Sequence, residues 1–260
     1  MTQFANAKQR FSNRVEDYVR HRPGYPVGVL VYLSENCGLD GKHVIADIGS
    51  GTGLLSKLFL DNGNHVYGVE PNAEMYAAGE EFLHNYPNFA GVKGSAEDTK
   101  LAEHSVDFVV AGQAFHWFDP VASRTEFSRI LKPGGWVVVL WNERLLDTTS
   151  FLRDYEALLH RFGTDYAKVS DSYPRQEQMR SFFGSENFLS HQLSNVQDFD
   201  FEGLSGRFRS SSYAPAADHP DFPQMMNELE HIFTVYQDNG KVRFDYRTRI
   251  YAGTLDIDRN

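Results

Sequence analysis

Three glycines at alternate positions follow a short apolar run near the start of the chain. The run Val44-Ile-Ala-Asp-Ile48 predicts a buried parallel strand, and Gly49-Ser-Gly-Thr-Gly53 follows it directly. Because a glycine has no Cβ, the backbone can turn sharply there and approach a ligand closely. A helix predicted over residues 52–62 presents its free N–H groups at the same place. The pattern therefore predicts a ligand-binding loop at the carboxyl end of a strand, with an ordinary glycine-rich turn as the alternative.

An acidic residue ends the next predicted strand. In Val66-Tyr-Gly-Val-Glu70, Glu70 lies 17 positions beyond Gly53, where a carboxylate can accept hydrogen bonds from both hydroxyls of a ribose. A solvated acid at a strand end is the alternative. The glycines and Glu70 together predict an adenosine-containing ligand. Dinucleotide sites carry G-x-G-x-x-G, whereas here G-x-G-x-G is followed by Leu54, which favours S-adenosylmethionine over a nicotinamide dinucleotide.

Alternating strands and helices must position these residues. Strands are predicted over residues 43–48, 65–69, 91–93, 105–111 and 136–141, a long one over 188–201 and a last one over 241–255. Helices are predicted over residues 25–36, 52–62, 72–85, 120–131, 150–163, 174–184 and 224–237, and residues 132–135 are predicted to form a turn. We expect an α/β fold: a doubly wound, seven-stranded, mostly parallel sheet with helices on both faces. The Asn239-Gly240 turn before the last strand predicts that this strand pairs antiparallel.

We expect one domain over residues 1–260. Residues 1–42 are predicted to form a helical cap and residues 43–142 the cofactor-binding core. Residues 150–187 and 202–240 are predicted to be helical insertions on the substrate side, over the site.

The composition narrows the class of protein. The chain has 260 residues, a formal net charge of −10 and 41% hydrophobic residues, so a globular domain is expected and a nucleic-acid partner is not. The single cysteine, Cys37, allows neither an internal disulfide nor a thiolate metal site, and we expect no metal. A polar N-terminus and the absence of an apolar run of about 18–20 residues predict a cytoplasmic protein without a membrane partner. The oligomeric state stays open.

The motifs taken in order resemble the class I S-adenosylmethionine-dependent methyltransferases, and within them the subgroup that contains trans-aconitate methyltransferases. The motifs are Asp47-Ile-Gly-Ser-Gly-Thr-Gly53, Val69-Glu-Pro-Asn72, Gly94-Ser-Ala-Glu-Asp98, Ala114-Phe-His-Trp-Phe-Asp119, Leu131-Lys-Pro-Gly-Gly135, Tyr18-Val-Arg-His-Arg-Pro-Gly-Tyr-Pro26 and Tyr246-Arg-Thr-Arg-Ile-Tyr251. The resemblance is dense through about residue 142. It is specific for the superfamily and much less so for the substrate.

The resemblance implies a set of residues around S-adenosylmethionine, drawn from the strand ends and the loops after them: Asp47, Gly49, Ser50, Gly51, Gly53, Glu70, Pro71, Met75, Ala96, Glu97 and Gln113. The glycines would lie against the methionine part with Asp47 beneath it, and Glu70 would hold the ribose. The adenine would lie near Pro71 and Met75, and Ala96 and Glu97 would lie at its edge. Gln113 would face the donor.

Two segments are implied to bind the acceptor. Tyr18, Arg20 and Arg22 lie on a segment that folds over the donor in similar enzymes, and an aromatic ring attracts a sulfonium. The alternative is an ordinary surface helix. Arg207 and Tyr213 lie on a polar stretch that covers the acceptor pocket in similar enzymes, and arginine suits a carboxylate. The alternative there is a solvated loop.

His116 and Trp117 follow the fourth strand, close to where the methyl group would project. His116 is the candidate catalytic residue, since it could orient or deprotonate an acceptor, and a packing histidine is the alternative. The predicted function is methyl transfer to a small molecule, with a slight preference for a carboxylic acid. The competing hypotheses are a catalytically silent S-adenosylmethionine-binding regulatory protein and a nicotinamide-dependent oxidoreductase.

Overall fold

The computed structural model describes residues 21–163, 166, 176–184, 188–211, 214–215 and 217–255. Within these residues, seven strands form one sheet with the spatial order β3-β2-β1-β4-β5-β7-β6. The strands are β1 (Val44–Ile48), β2 (His65–Val69), β3 (Phe89–Val92), β4 (Val106–Gly112), β5 (Leu131–Arg144), β6 (Leu189–Phe199) and β7 (Val242–Thr254). Each predicted strand is therefore present, with boundaries that differ by a few residues.

The strand directions confirm the predicted fold class. β1 to β5 pair in parallel, whereas β7 is antiparallel to both β5 and β6, so six strands run one way and β7 runs the other. From β1 the chain moves outward to β2 and β3, then returns to place β4 on the other side of β1. This reversal makes the carboxyl ends of β1 and β4 the switch point, where doubly wound sheets bind ligands.

Helices cover both faces of the sheet. In the described part of the chain they are α1 (Gly28–Cys37), α2 (Leu54–Asp61), α3 (Ala73–Phe82), α4 (Pro120–Ile130), α5 (Ser150–Phe162), α6 (Gln176–Phe183), α7 (Phe201–Arg209) and α8 (Phe222–Tyr236). Apolar residues of α1 and α2 pack on one face, and those of α4 and α6 pack on the other. None of these helices has both the length and the apolar character needed to cross a bilayer.

Local chemistry explains where two of the helices begin. Asn72 precedes α3, and its side-chain oxygen accepts from the backbone N–H groups of Glu74 and Met75. Asp119 does the same at the start of α4, where Pro120 occupies the first turn. These caps satisfy donors that have no partner within the helix, which is why Asn, Asp and Pro favour these positions.

A third apolar core lies at the carboxyl end of the sheet. Side chains of α5, α7 and α8 pack there around Phe244 and Tyr246, in the first part of β7. The register fixes the location, because Tyr246 pairs with Arg144, the last residue of β5. These three helices therefore lie at the same edge of the sheet as the loop after β1.

Two turns differ from the sequence-based predictions. The predicted turn at residues 132–135 lies inside β5 and bulges where the pairing shifts from Val106–Leu131 to Phe108–Trp136. The Asn239-Gly240 turn, with φ angles of 52° and 77°, joins α8 to β7 and does not connect two strands. The antiparallel pairing of β7 is nevertheless confirmed, since its partners are β5 and β6.

Candidate functional site

The site begins at residues 49–53, the glycine loop, between β1 and α2. Gly49, Gly51 and Gly53 have φ angles of 67°, 58° and 85°, in the left-handed region that favours glycine. The Gly49 and Ser50 N–H groups both donate to the carbonyl of Val69, at 2.9 and 3.2 Å. The loop is therefore folded back and tied to the end of the neighbouring strand.

Asp47 lies beneath this loop with its carboxyl group buried. Its Oδ2 accepts from the Ser56 hydroxyl at 2.7 Å, while Oδ1 is buried and has no hydrogen-bond partner among the described residues. Burial raises the pKa of Asp47 to about 7, the Ser56 bond opposes the rise, and the Glu70 charge adds to it. A positively charged ligand group beside Asp47 would stabilise the ionised carboxylate and lower its pKa again.

Glu70, directly after β2, closes the other side of the loop. Its Oε2 accepts from the Gly51 N–H at 2.9 Å and its Oε1 from the Asn72 N–H at 2.8 Å. The side chain is buried in the protein, which rules out the solvated acid as an interpretation. A carboxylate at the end of the second strand is in the position from which it can accept from the hydroxyls of a ribose.

Buried oxygen atoms without partners surround the glycine loop. Within the described residues these atoms are Asp47 Oδ1, Thr52 Oγ1 and Gln113 Oε1. Asp47 is the next-to-last residue of β1, Gln113 directly follows the adjacent strand β4, and Thr52 belongs to the glycine loop between β1 and α2. Buried polar atoms in proteins are normally hydrogen-bonded. These oxygens therefore fit a polar ligand that carries donor groups, such as the amino-acid part of S-adenosylmethionine.

The residues predicted to contact adenine lie beyond Glu70. Met75 is buried on α3, and its methyl group approaches Gly51; Pro71 is exposed. Ala96 is buried in the apolar core, and the Glu97 carboxylate accepts from the Asp119 N–H at 3.0 Å. These positions are compatible with an adenine subsite, and the individual roles stay predictions.

Gln113 holds an unusual backbone conformation at the end of β4. Its φ angle is 57°, which is uncommon for a residue other than glycine. Its N–H donates to the Leu140 carbonyl, and its side-chain Nε2 donates to the Asn142 carbonyl at 3.0 Å. Two bonds to β5 thus hold this residue in place, and such outliers cluster at functional sites.

His116 and Trp117 lie on a short 3₁₀ turn, Phe115–Trp117, after β4. The ring centroid of His116 lies 4.4 Å from that of Trp117 and 5.0 Å from that of Trp141. His116 is exposed at the surface, yet the protein atoms packed around the imidazole disfavour its charged form and lower its pKa to about 4. A pKa this low makes His116 a weak base.

We expect the His116 imidazole to remain neutral between about pH 5.5 and pH 8. The unfolded chain would protonate it near 6.5 and the folded chain only near 4. Its contribution to stability is therefore complete above pH 6.5 and is lost as the pH falls toward 4. The measurement is a ¹H–¹³C NMR titration of the histidine Cε1 signals, with His116→Gln to assign the peak. A titration midpoint near pH 6.5 for the His116 signal would contradict the lowered pKa.

The structure brings two of the predicted acceptor-binding segments together. Arg22 Nη2 donates to the carbonyl of Ser210, and the Ser210 hydroxyl donates to the carbonyl of Arg207. Arg207 lies on α7 and is 5% exposed, so the solvated loop is wrong for this residue. Its Nε donates to the Tyr246 hydroxyl at 3.3 Å and its Nη1 to the Ser211 hydroxyl at 3.0 Å. Tyr18, Arg20 and Tyr213 lie outside the described residues.

Three residues of this region were not singled out from the sequence. Trp141 contacts His116, Asn142 bonds to Gln113, and the Tyr25 hydroxyl lies beside Gly112 at the end of β4. The signal for the first two was present, because Trp141 ends the strand predicted over residues 136–141, Asn142 follows it directly, and ligands bind at the carboxyl ends of such strands. Tyr25 belongs to the motif of residues 18–26, but the sequence does not indicate that its hydroxyl lies beside Gly112.

Comparison with known proteins agrees with this geometry. Residues 46–139 match the family described as "Methyltransferase domain". An uncharacterised methyltransferase-like protein of Schizosaccharomyces pombe is 30% identical over 156 residues, which cover 60% of this chain and 59% of that protein. The chain spans about half the length of the curated relatives it matches.

Two solved structures share the fold. One is a candidate type II methyltransferase from Anaeromyxobacter dehalogenans, with a TM-score of 0.60 and 19% identity over 90% of this chain and 98% of that one. The other is phosphoethanolamine N-methyltransferase 2 of Haemonchus contortus in complex with phosphomonomethylethanolamine and S-adenosylhomocysteine. Its TM-score is 0.56, with 16% identity over 96% of this chain and 58% of that one. These matches do not distinguish the trans-aconitate subgroup from other methyltransferases, so membership of that subgroup stays a prediction.

The family match covers the strands and loops that build the site, from the middle of β1 to β5, and the solved structures share the sheet that positions them. Residues 46–139 are therefore similar to methyltransferase domains, and this similarity indicates S-adenosylmethionine as the cofactor.

Proposed function

We propose that the chain transfers a methyl group from S-adenosylmethionine to a small-molecule acceptor. The observation that carries the proposal is the glycine loop between two buried carboxyl groups, with unpartnered oxygens of Asp47, Thr52 and Gln113 around it. A structural neighbour binds S-adenosylhomocysteine on the same fold, which supports the proposal. The alternative of a dinucleotide finds no support in the G-x-G-x-G pattern.

Each side of the loop has a distinct role in this proposal. Asp47 Oδ1 would accept from the amino group of the methionine part, and Glu70 would accept from the ribose hydroxyls. Gln113 would face the donor from the end of β4, where two bonds to β5 hold it. When bound, S-adenosylmethionine supplies a methyl group that its own positive charge activates. The protein then has to align the acceptor and exclude water.

We further propose that the acceptor is a small carboxylic acid, as in the trans-aconitate subgroup, methylated on oxygen. A carboxylate is ionised near neutral pH, so this reaction needs no base, and His116, with a pKa of about 4, would be a poor one. Arg22 and Arg207 are joined through Ser210, which places two guanidinium groups in one region of the chain. A phenol or an amine acceptor would require a stronger base than His116 offers.

The helical insertions would cover the acceptor. The apolar core of α5, α7 and α8 lies at the carboxyl end of the sheet, which supports a substrate-side role for residues 150–187 and 202–240. On this proposal residues 1–260 act as a single domain. The cytoplasmic location and the absence of a nucleic-acid partner stay predictions from composition.

Calorimetric titration tests the proposal. We expect the purified chain to bind S-adenosylmethionine and S-adenosylhomocysteine and not NAD. Binding of NAD alone would refute the proposal in favour of an oxidoreductase. A second assay follows transfer of radiolabelled methyl groups to a panel of small carboxylic acids that includes trans-aconitate. Methyl-donor binding without turnover on any carboxylic, phenolic or amine acceptor would favour the silent binding protein.

A further inference from the structure

Asn142, at the carboxyl end of β5, connects this strand to three other parts of the molecule. Its side chain is 5% exposed, and its Nδ2 donates to the carbonyl of Gly24 at 3.1 Å and to that of Pro23 at 3.4 Å. Its Oδ1 accepts from the Thr248 hydroxyl of β7 at 2.6 Å. Its backbone carbonyl accepts from the side chain of Gln113 at 3.0 Å. A single residue thus contacts the N-terminal segment, β7 and the end of β4.

The N-terminal segment that it contacts, residues 21–25, crosses the carboxyl ends of the strands and is called the strap here. Asn195 of β6 also donates to the Gly24 carbonyl, at 2.9 Å, and Gln197 donates to the carbonyl of His21 at 3.3 Å. Arg22 reaches Ser210 after α7, and the Tyr25 hydroxyl lies beside Gly112. The strap therefore contacts both the region proposed for the acceptor, through Arg22, and the end of β4, through Tyr25.

The chemistry of the contacts fixes how the Asn142 amide is oriented. The carbonyl oxygens of Pro23 and Gly24 can only accept hydrogen bonds, so the atom that faces them must be the nitrogen. The oxygen then faces the Thr248 hydroxyl and the Asn195 amide, which donate to it at 2.6 and 3.3 Å. A carboxylate cannot replace this amide, because it has no donor for the strap.

We propose that Asn142 is a positioning residue that latches the strap across the carboxyl end of the sheet and holds Gln113 at the same time. The strap and the end of β4 are then held at a fixed distance from each other. We assign them to two sides of the methyl-transfer site. The consequence for the cofactor rests on the proposed function. The latch itself rests only on the contacts of Asn142.

The test uses Asn142→Asp, which keeps the size of the side chain and the bond from Thr248 but turns the donor toward the strap into an acceptor. Asn142→Ser is a second variant, because it removes the reach to Gly24 without burying a charge. Asn227→Asp, on the exposed surface of α8, is the control for the change of charge. Hydrogen exchange of the peptide over residues 21–27 reports on the strap, and calorimetric titration with S-adenosylhomocysteine reports on the site.

In both Asn142 variants we expect hydrogen exchange of the strap to be at least about 10-fold faster and the affinity for S-adenosylhomocysteine to be about 10-fold weaker. The reason is that the loss of a buried hydrogen-bond donor shifts the local opening equilibrium by about 10-fold. Exchange in β1 and β2 should stay unchanged. Unchanged strap exchange in the folded variants would overturn the latch, and faster strap exchange with unaltered affinity would overturn the positioning role. A wild-type chain that binds no S-adenosylhomocysteine would refute the proposed function, while the exchange measurement would still decide on the latch.

Discussion

Replacement of Glu70 by alanine is expected to weaken the binding of S-adenosylhomocysteine by about 100-fold. The substitution removes the acceptor for the Gly51 and Asn72 N–H groups as well as the proposed acceptor for the ribose hydroxyls. Because Glu70 is buried, its charge is little screened by solvent, and hydrogen bonds to it are of the stronger, charge-assisted kind. The glycine loop loses the bond from the Gly51 N–H at the same time, while the bonds of the Gly49 and Ser50 N–H groups to the Val69 carbonyl remain.

Calorimetric titration with S-adenosylhomocysteine measures the effect, and thermal unfolding shows whether the variant is folded. Glu74→Ala is the matched control, since Glu74 is exposed in the first turn of α3 and its loss changes the net charge equally. We expect wild-type affinity for the control. Equal affinities for Glu70→Ala and the wild type, in a folded protein, would remove the ribose assignment.

The cofactor side of the site was predictable from the sequence because its determinants are local. The glycine loop lies within five residues of the strand that it follows, and the left-handed φ angles of Gly49, Gly51 and Gly53 explain why glycine is present there. The helix predicted over residues 72–85 begins where expected, and Asn72 caps it. Glu70 lies next to the loop because β1 and β2 pair in register, Ile48 opposite Val69, and a parallel pair brings the two strand ends together.

The acceptor side was less predictable because its contacts are distant in sequence. Asn142 bonds to Gly24, 118 residues away, and Arg22 bonds to Ser210, 188 residues away. No periodicity or short motif encodes such pairs. They depend on β7 inserting between β5 and β6, which carries the strap and α7 to the same edge of the sheet.

Helix α7 lies in the predicted helical insertion of residues 202–240, but the sequence does not predict a separate helix over residues 201–209. The glycines at 203 and 206 and the serine at 205 have low helix propensity, which makes this helix hard to recognise from the sequence. The signals for a helix were nevertheless present. Asp200 caps the helix by accepting from the Gly203 N–H at 2.8 Å, and Leu204 and Phe208 are buried at helical spacing. Tertiary packing against the third core outweighs the weak intrinsic propensity.

Substitution of Gly49 by alanine is expected to lower the free energy of unfolding by about 3 kcal/mol and to abolish measurable cofactor binding. At a φ angle of 67° a side chain costs about 1–2 kcal/mol, since Cβ crowds the following carbonyl. The new Cβ would also lie 2.7 Å from the Cβ of Ala114, which is too short a side chain to move aside. The backbone of the loop or of the turn at residues 115–117 must shift, and such overpacking adds about 1–3 kcal/mol.

Urea denaturation of three further variants separates these two costs. Gly134→Ala has a similar φ angle of 80° with no atom within 4 Å of the added Cβ, so only the backbone cost of about 1 kcal/mol is expected. In the double variant Gly49→Ala/Ala114→Gly the steric conflict disappears, and comparison with Ala114→Gly alone should recover the steric part of the loss. If Gly49→Ala proves no less stable than Gly134→Ala, the loop does not pack against the turn after β4, and the site as described would lose the contact that joins its β1 and β4 sides.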